Sequence, residues 1–291
     1  MIQQNNNMSV LPFYTDLGEQ DHRRSYAYGD IYPLYTPLGS VPPFQIITEP
    51  TQSAPTVSTV SMVRKDGGGS VSVKSQLVDG GLRVMHWTDY NIVLYPSLAP
   101  MNITTAEGQY YLIVTMSTGE VFYSDVFTVV GDASDYLFIQ WWDEQDFIMD
   151  GSRIVYKDSP GNLIYKNTLM LNTQLGKPEY EFEEEGEKRD MLFFAEKMLS
   201  AKKYKCHILA NEPLLDVMRF IRLSDYIQVK DKFDNQYNCD TFLFTPKWET
   251  QGNLASVEIE FTTATVAKKI GRAFVTGTGD YNNDYNNDYD N

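Results

Sequence analysis

Three histidines, two cysteines and several clusters of carboxylates are the side chains of this chain whose types could do chemistry. His22 stands beside Arg23 and Arg24, and His86 beside Trp87. Neither has a nucleophile or carboxylate at a spacing that builds a proton relay. Cys206 and His207 adjoin, and neighbours on a strand point to opposite faces, so they do not share a metal. Cys239 would be a third ligand and a fourth is missing, so the expectation is two buried free thiols rather than a zinc site. The carboxylate pairs Asp143–Glu144 and Asp231–Asp234 have no catalytic meaning without a separation. "GTGDYN" lacks the third glycine and the βαβ setting of a phosphate loop. No catalytic residue, metal or cofactor is assigned, and the chain reads as a non-enzyme.

The last fifteen residues, "GTGDYNNDYNNDYDN", test as a calcium loop. With Asp280 at the first position, Asn282, Asp284 and Asp288 fall where a twelve-residue loop uses oxygen ligands. Tyr285 stands where the turn requires glycine, and Asn291 where a bidentate glutamate is required. The spacing of Tyr281, Tyr285 and Tyr289 suits a different task, because regularly placed tyrosines lay down contact area at low entropic cost. These three, with Tyr26, Tyr28, Tyr32 and Tyr35 near the other end, are the candidate partner contacts.

A second acidic feature is "EYEFEEEGEKRD", residues 179–190. Tyr180 and Phe182 alternate with glutamates, as on a strand with one buried face. The following "EEEGE" reads as an exposed hairpin tip, so Glu183, Glu184, Glu185 and Glu187 form a candidate acidic surface.

The elements that must position these groups are strands. Over 43–131, the runs "FQIIT", "TVSTVSMV", "SVSVKSQLV", "LRVMHW", "NIVLY", "QYYLIVTM" and "VFYSDVFTVV" are short, β-branched and separated by turn signals such as Asp66-Gly67 and Ser117-Thr118-Gly119. That spacing predicts an immunoglobulin-like β-sandwich. Residues 132–274 predict a second β-sandwich domain with a packed helix near 211–223, capped by Asn211 and carrying Pro213 in its first turn. "RDMLFFAEKMLSAKK", 189–203, fits either a helix or a strand. Residues 1–42, rich in proline and tyrosine without apolar periodicity, read as an extended arm laid on a neighbour. Residues 275–291 read as a Tyr/Asn/Asp-rich tail. The fold class expected is all-β, with one or two helices.

Charge and composition bound the partners. A formal net charge of −15 repels phosphate, so specific binding of DNA or RNA is not expected. Two cysteines make no disulfide framework, and the first residues show neither a basic nor an apolar leader segment, which points to synthesis in a cytoplasm. No run is long and apolar enough for a membrane helix. Asn102-Ile103-Thr104 matches a glycosylation acceptor, without other signs of secretion.

Residues 105–271, and above all Trp141-Trp142, the EEEGE stretch, "ANEPLLDVMRFIRLSDYI" and "FTPKW…SVEIEF", resemble structural proteins of tailed phages and prophages of gut Bacteroidetes, including the crAss-like group. The hairpin "GQYYLIVTMSTGEVFYSDVF" fits the same likeness, since such proteins often carry a small immunoglobulin-like unit ahead of the C-terminal block. The resemblance implies a virion protein of the tail, neck ring or baseplate. It would be made in a bacterial host cytoplasm, assemble as a homo-oligomeric ring with other phage tail or neck proteins, and let DNA pass, without binding it specifically, through a channel for which Glu183, Glu184, Glu185 and Glu187 are the candidate lining. It supplies no catalytic residue. The rival expectation is a carbohydrate-binding or adhesin module using Trp87, Trp141, Trp142 or Trp248, although tryptophans in strand runs are more often core or interface.

Overall fold

The structure, a computed structural model, describes residues 9–17, 34–86, 90–96, 103–142, 147–149, 153–155, 166–189, 192–248 and 254–269. It is all-β, with two helices among the described residues.

The N-terminal part packs a seven-stranded sheet against a three-stranded one. The larger sheet contains β1 (Phe13–Tyr14), β2 (Tyr35–Pro37), β4 (Val57–Arg64), β5 (Ser70–Ser72), β8 (Gly108–Met116), β9 (Val121–Ser124) and β10 (Phe127–Val130). The smaller orders β3 (Phe44–Thr48), β7 (Asn91–Tyr95) and β6 (Arg83–His86). Alternate residues of both sheets share one core, with Val60, Met62, Leu112, Val114 and Phe122 on one side and Phe44, Ile46, Val93 and Tyr95 on the other. That is the geometry of a β-sandwich, with β8 burying every second side chain, while β3 and β7 are buried on both faces. The β8–β9 hairpin turns as the sequence implies: Gly119 takes a positive φ of 91° and donates its N–H to the Met116 carbonyl.

Two expectations are corrected here. "SVSVKSQLV" is not one strand: after β5 it coils into α1 (Lys74–Asp79), because Val73 and Leu77, four residues apart, both reach the core. The described ends of the predicted 1–42 arm are also not laid outward. Leu11, Phe13 and Val41 are buried in the sandwich core, β1 pairs antiparallel with β9, and β2 pairs parallel with β10. Pro12 and Pro37 had argued for an arm, but proline is tolerated on edge strands, which is where β1 and β2 sit.

The C-terminal part is a seven-stranded antiparallel sheet ordered β14-β11-β17-β18-β19-β16-β15. Its strands are β11 (Leu137–Trp142), β14 (Asn167–Leu171), β15 (Glu179–Arg189), β16 (Leu192–Ala210), β17 (Tyr226–Lys230), β18 (Gln236–Trp248) and β19 (Ala255–Lys269). A separate short hairpin pairs β12 (Phe147–Met149) with β13 (Arg153–Val155). Strand β18 belongs to both halves of the large sheet: its first residues pair with β17 and the rest with β19. Both halves bury side chains in one cluster, Leu137, Ile139, Leu169 and Val229 from one and Tyr204, Cys206, Ile208, Val257 and Ile259 from the other. Helix α2 (Glu212–Ile221) adds Leu214, Leu215, Val217, Met218 and Ile221 to that cluster. Its start is where the sequence places it: Asn211 Oδ1 accepts the Leu214 N–H at 2.9 Å, Pro213 lies in the first turn, and Glu212 favours the positive end of the helix dipole.

Residues 192–203 of the ambiguous stretch are strand, the first part of β16, and Arg189 ends β15. Hydrogen-bonded partners on both sides, β15 and β19, outweigh its helical spacing of apolar residues.

Candidate functional site

The glutamate stretch forms not a tip but the long border strand of a four-strand block, β15-β16-β19-β18. Its pairing continues through the glutamates, with one register shift between Glu185 and Gly186: Glu183 opposes Leu199, Glu184 opposes Met198, Glu185 opposes Lys197 and Glu187 opposes Phe194. Pairing therefore runs as far as Arg189 and Leu192, and "EEEGE" is corrected from loop tip to strand. The reason is length. β16 runs for 19 residues, which gives β15 a partner well past the end of the core.

Strand alternation divides the cluster. Glu179, Glu181 and Glu183 face one side, and Tyr180, Phe182 and Glu184 the other. On the first side Lys203 Nζ bridges Glu181 at 2.9 Å and Glu260 at 2.5 Å, and Lys205 Nζ reaches Glu179 at 2.9 Å. The hydrogen bond from Glu260, then that from Glu181, raises the Lys203 pKa above the ordinary lysine value. Glu183 and Glu184 have no ion pair among the described residues. The side chains of Glu185 and Glu187 lie outside the described ones, as do Tyr26, Tyr28, Tyr32, Tyr281, Tyr285 and Tyr289. Tyr35 is placed: it sits half-buried in β2, its ring 5.3 Å from that of Tyr136.

The second side overturns an expectation. Tyr180 and Phe182 are not a buried stripe; they are 59% and 74% exposed. Opposite Phe182 stand Ser200 and, one strand further, Val266, itself exposed. This face continues the one that buries Tyr204, Cys206 and Ile208, but here the strands have outrun the core.

The Asp231–Asp234 pair lies in the β17–β18 turn. Asp231 Oδ1 accepts the backbone N–H groups of Phe233 (2.8 Å) and Asn235 (3.0 Å). Its Oδ2 accepts Asn235 Nδ2 and the Tyr237 hydroxyl, both at 3.0 Å. Burial pushes the Asp231 pKa up, but these hydrogen bonds together outweigh it and hold the group below the ordinary aspartate value. Tyr237 in turn packs on Tyr204 of the core, with ring centroids 5.0 Å apart. Phe233 stands 74% exposed at the tip, with Lys232 Nζ 5.2 Å from its ring centroid. The pattern "DKFDN", an Asx-type turn around an aromatic, was the available signal. The Asp231–Asp234 pair is thus structural: Asp231 is saturated with donors, and Asp234 holds Lys230 at 2.6 Å.

The other candidates resolve as follows. Cys206 opposes Ile259, and Cys239 opposes Thr263, so about 13 Å of strand separates their levels. That excludes a disulfide or a shared metal. Burial pushes both thiols up to about 12. His86 Nδ1 lies 2.6 Å from Asn91 Oδ1, and His207 is exposed on the lysine face of β16. Among the described residues no group of three or more His, Cys, Asp or Glu could hold a metal ion. Trp141 is core, Trp142 stacks on Tyr226 and lies 4.3 Å below Lys166 Nζ, and Trp248 is half exposed.

No family model and no curated protein matches the chain. Among solved structures it aligns with the crystal structure of the titin domains z1z2 in complex with telethonin, at 12% identity over 60% of this chain and 85% of that one, with a TM-score of 0.17. A likeness that slight carries no argument about fold or function.

Proposed function

We propose that this chain is a structural subunit of a tailed-phage virion, a copy in a ring of the tail, neck or baseplate through which DNA passes unbound. One observation carries the reading: the four-strand block outruns its core and presents two unlike faces. One is a ladder of glutamates and lysines suited to water. The other carries Tyr180, Phe182 and Val266 in the open. Exposed apolar residues on a long border strand call for a covering partner. The resemblance of residues 105–271 to phage structural proteins supplies the setting, and the net charge of −15 suits a passage that DNA must not adhere to.

The test is the native mass of the purified chain, by sedimentation or native mass spectrometry, with its copy number in virions. A ring predicts an integer multiple of 33.3 kDa, three or more. A monomer throughout the micromolar range overturns the reading. A carbohydrate-binding module is the rival. Trp142 is engaged within the chain, which leaves Trp248 as the described tryptophan most open to a sugar, and glycan-array binding by monomer would favour that rival.

A further inference from the structure

Phe233 and Phe182 are exposed to the same degree, 74%, and they lie on different sides of one block. Their levels match. Tyr180 opposes Lys202, Lys202 opposes Thr263, and Thr263 opposes Cys239, so these four residues form one row across β15, β16, β19 and β18. From that row β15 runs on through Phe182 and Glu184, while β18 runs back to Gln236 and the 231–235 turn. The turn and the Tyr180–Glu184 stretch therefore stand at the same end of the block, one near its β18 side and the other along its β15 border.

Their chemistry is complementary. The turn pairs an aromatic ring with Lys232, and the strand pairs two aromatic rings with Glu184, on the same face by alternation. Lys232 is held only loosely within its own chain, 4.0 Å from Asp135. The turn is also rigid, because Asp231 takes four hydrogen bonds and Tyr237 ties it to the core. An aromatic presented on a fixed tip loses little freedom on docking.

We propose that the β17–β18 tip is the plug of a head-to-tail contact between copies, in which Phe233 seats on Tyr180 and Phe182 of a second copy and Lys232 faces that copy's Glu184. The occupant is this same chain, since both halves of the contact are on its surface, on different patches. Such an interface is heterologous: every copy offers one plug and one seat, and the chain of contacts closes into a ring when the rotation permits. The proposal rests on the ring reading and names the surfaces that make it.

Two variants test it, F233A without the plug and Y180A/F182A without the seat. All three side chains are largely exposed, so each variant should melt as the wild type does at dilutions where the wild type is itself dissociated. Each variant alone should sediment as monomer, with a dissociation constant raised roughly 30-fold or more. Their equimolar mixture should give 1:1 dimers and nothing larger, because one competent contact forms and neither free end can extend it. Should Y180A/F182A fail to fold, a charge swap reads the same contact: K232E alone weakens assembly and K232E/E184K restores it. Rings of wild-type mass from F233A, a mixture that stays monomeric, or a swap without recovery overturns this contact and leaves the ring reading standing. A wild-type chain that never assembles overturns both.

Discussion

Asp231 shows what a carboxylate does when a fold uses it as an acceptor rather than as an acid. Its charge is held by two backbone N–H groups, an amide and a phenol, and its pKa lies below the ordinary value of 3.8. A depressed carboxylate contributes stability that is complete above the unfolded pKa and is lost as pH falls through the folded one. The 231–235 turn should therefore keep its amide protection from pH 7 to about 5 and lose it below 3.8. Hydrogen exchange at Phe233 and Asn235 reads this, and protection that fades near pH 6 would mean another group holds the turn. The two cysteines behave in the opposite sense, their thiols kept protonated by burial. Because the thiolate is the nucleophile, a pKa of about 12 at Cys206 and Cys239 predicts no alkylation by iodoacetamide at pH 8 in the folded chain. Both should label once urea unfolds it, and labelling of native Cys239 would show that β18 opens at that point.

At the scale of elements, helix α2 is the test of the C-terminal core. Met218 lies wholly inside the cluster shared by both halves of the sheet. Met218→Asp buries an unpaired charge and should cost more than about 4 kcal/mol. Asn211→Ala removes one cap hydrogen bond and should cost about 1 kcal/mol. Urea titration separates the two, and equal small losses would put the helix on the surface. This helix was legible because every local signal agreed: a capping Asn, a first-turn proline and apolar residues at helical spacing. The hairpin β8–β9 was legible for the same reason, with alternation on both sides of a glycine turn. Three elements were less so. The 192–203 half of β16 had helical spacing but is decided by strands far away in sequence, β19 above all. α1 follows the alternating Val71 and Val73 in a run that fits a strand, and only the core contacts of Val73 and Leu77 show where the helix begins. The strand β15 alternates as its sequence implies, but neither of its sides is buried: residues 179–184 are exposed on both. Alternation reports which residues share a face, not whether a core lies beneath that face, and here the strand extends past it. For the candidate site, the glutamates were visible in the sequence, their lysine partners Lys203 and Lys205 were not, and the Phe233 tip was passed over because its meaning depends on a second surface.

At the scale of the whole molecule, the question is which way the glutamate face looks. In a ring, the side carrying Tyr180 and Phe182 is covered by neighbours, so the side carrying Glu179, Glu181 and Glu183 is left for the solvent or the passage. Lys203 and Lys205 neutralise part of it, and Glu183 has no such partner among the described residues. Copies related by symmetry would repeat that charge around the axis. Its reach is short, about 8 Å at physiological salt, so it acts only on a strand that passes close. A lysine at such a position would bind phosphate by releasing counterions, with an affinity that falls steeply as salt rises. The strand alternation makes this testable with single residues, because Glu183 and Glu184 are neighbours on opposite faces. Glu183→Lys should leave particles complete but slow their DNA ejection, with the delay relieved by raising the salt concentration. Glu184→Lys should instead reduce the number of complete tails, because it places a cation against Lys232 at the contact between copies. If Glu183→Lys blocks assembly and Glu184→Lys slows ejection, the two faces are reversed and the aromatic side looks inward. If both variants assemble and eject as the wild type does, the glutamates serve only to keep a border strand in solution, which charged side chains on sheet edges commonly do.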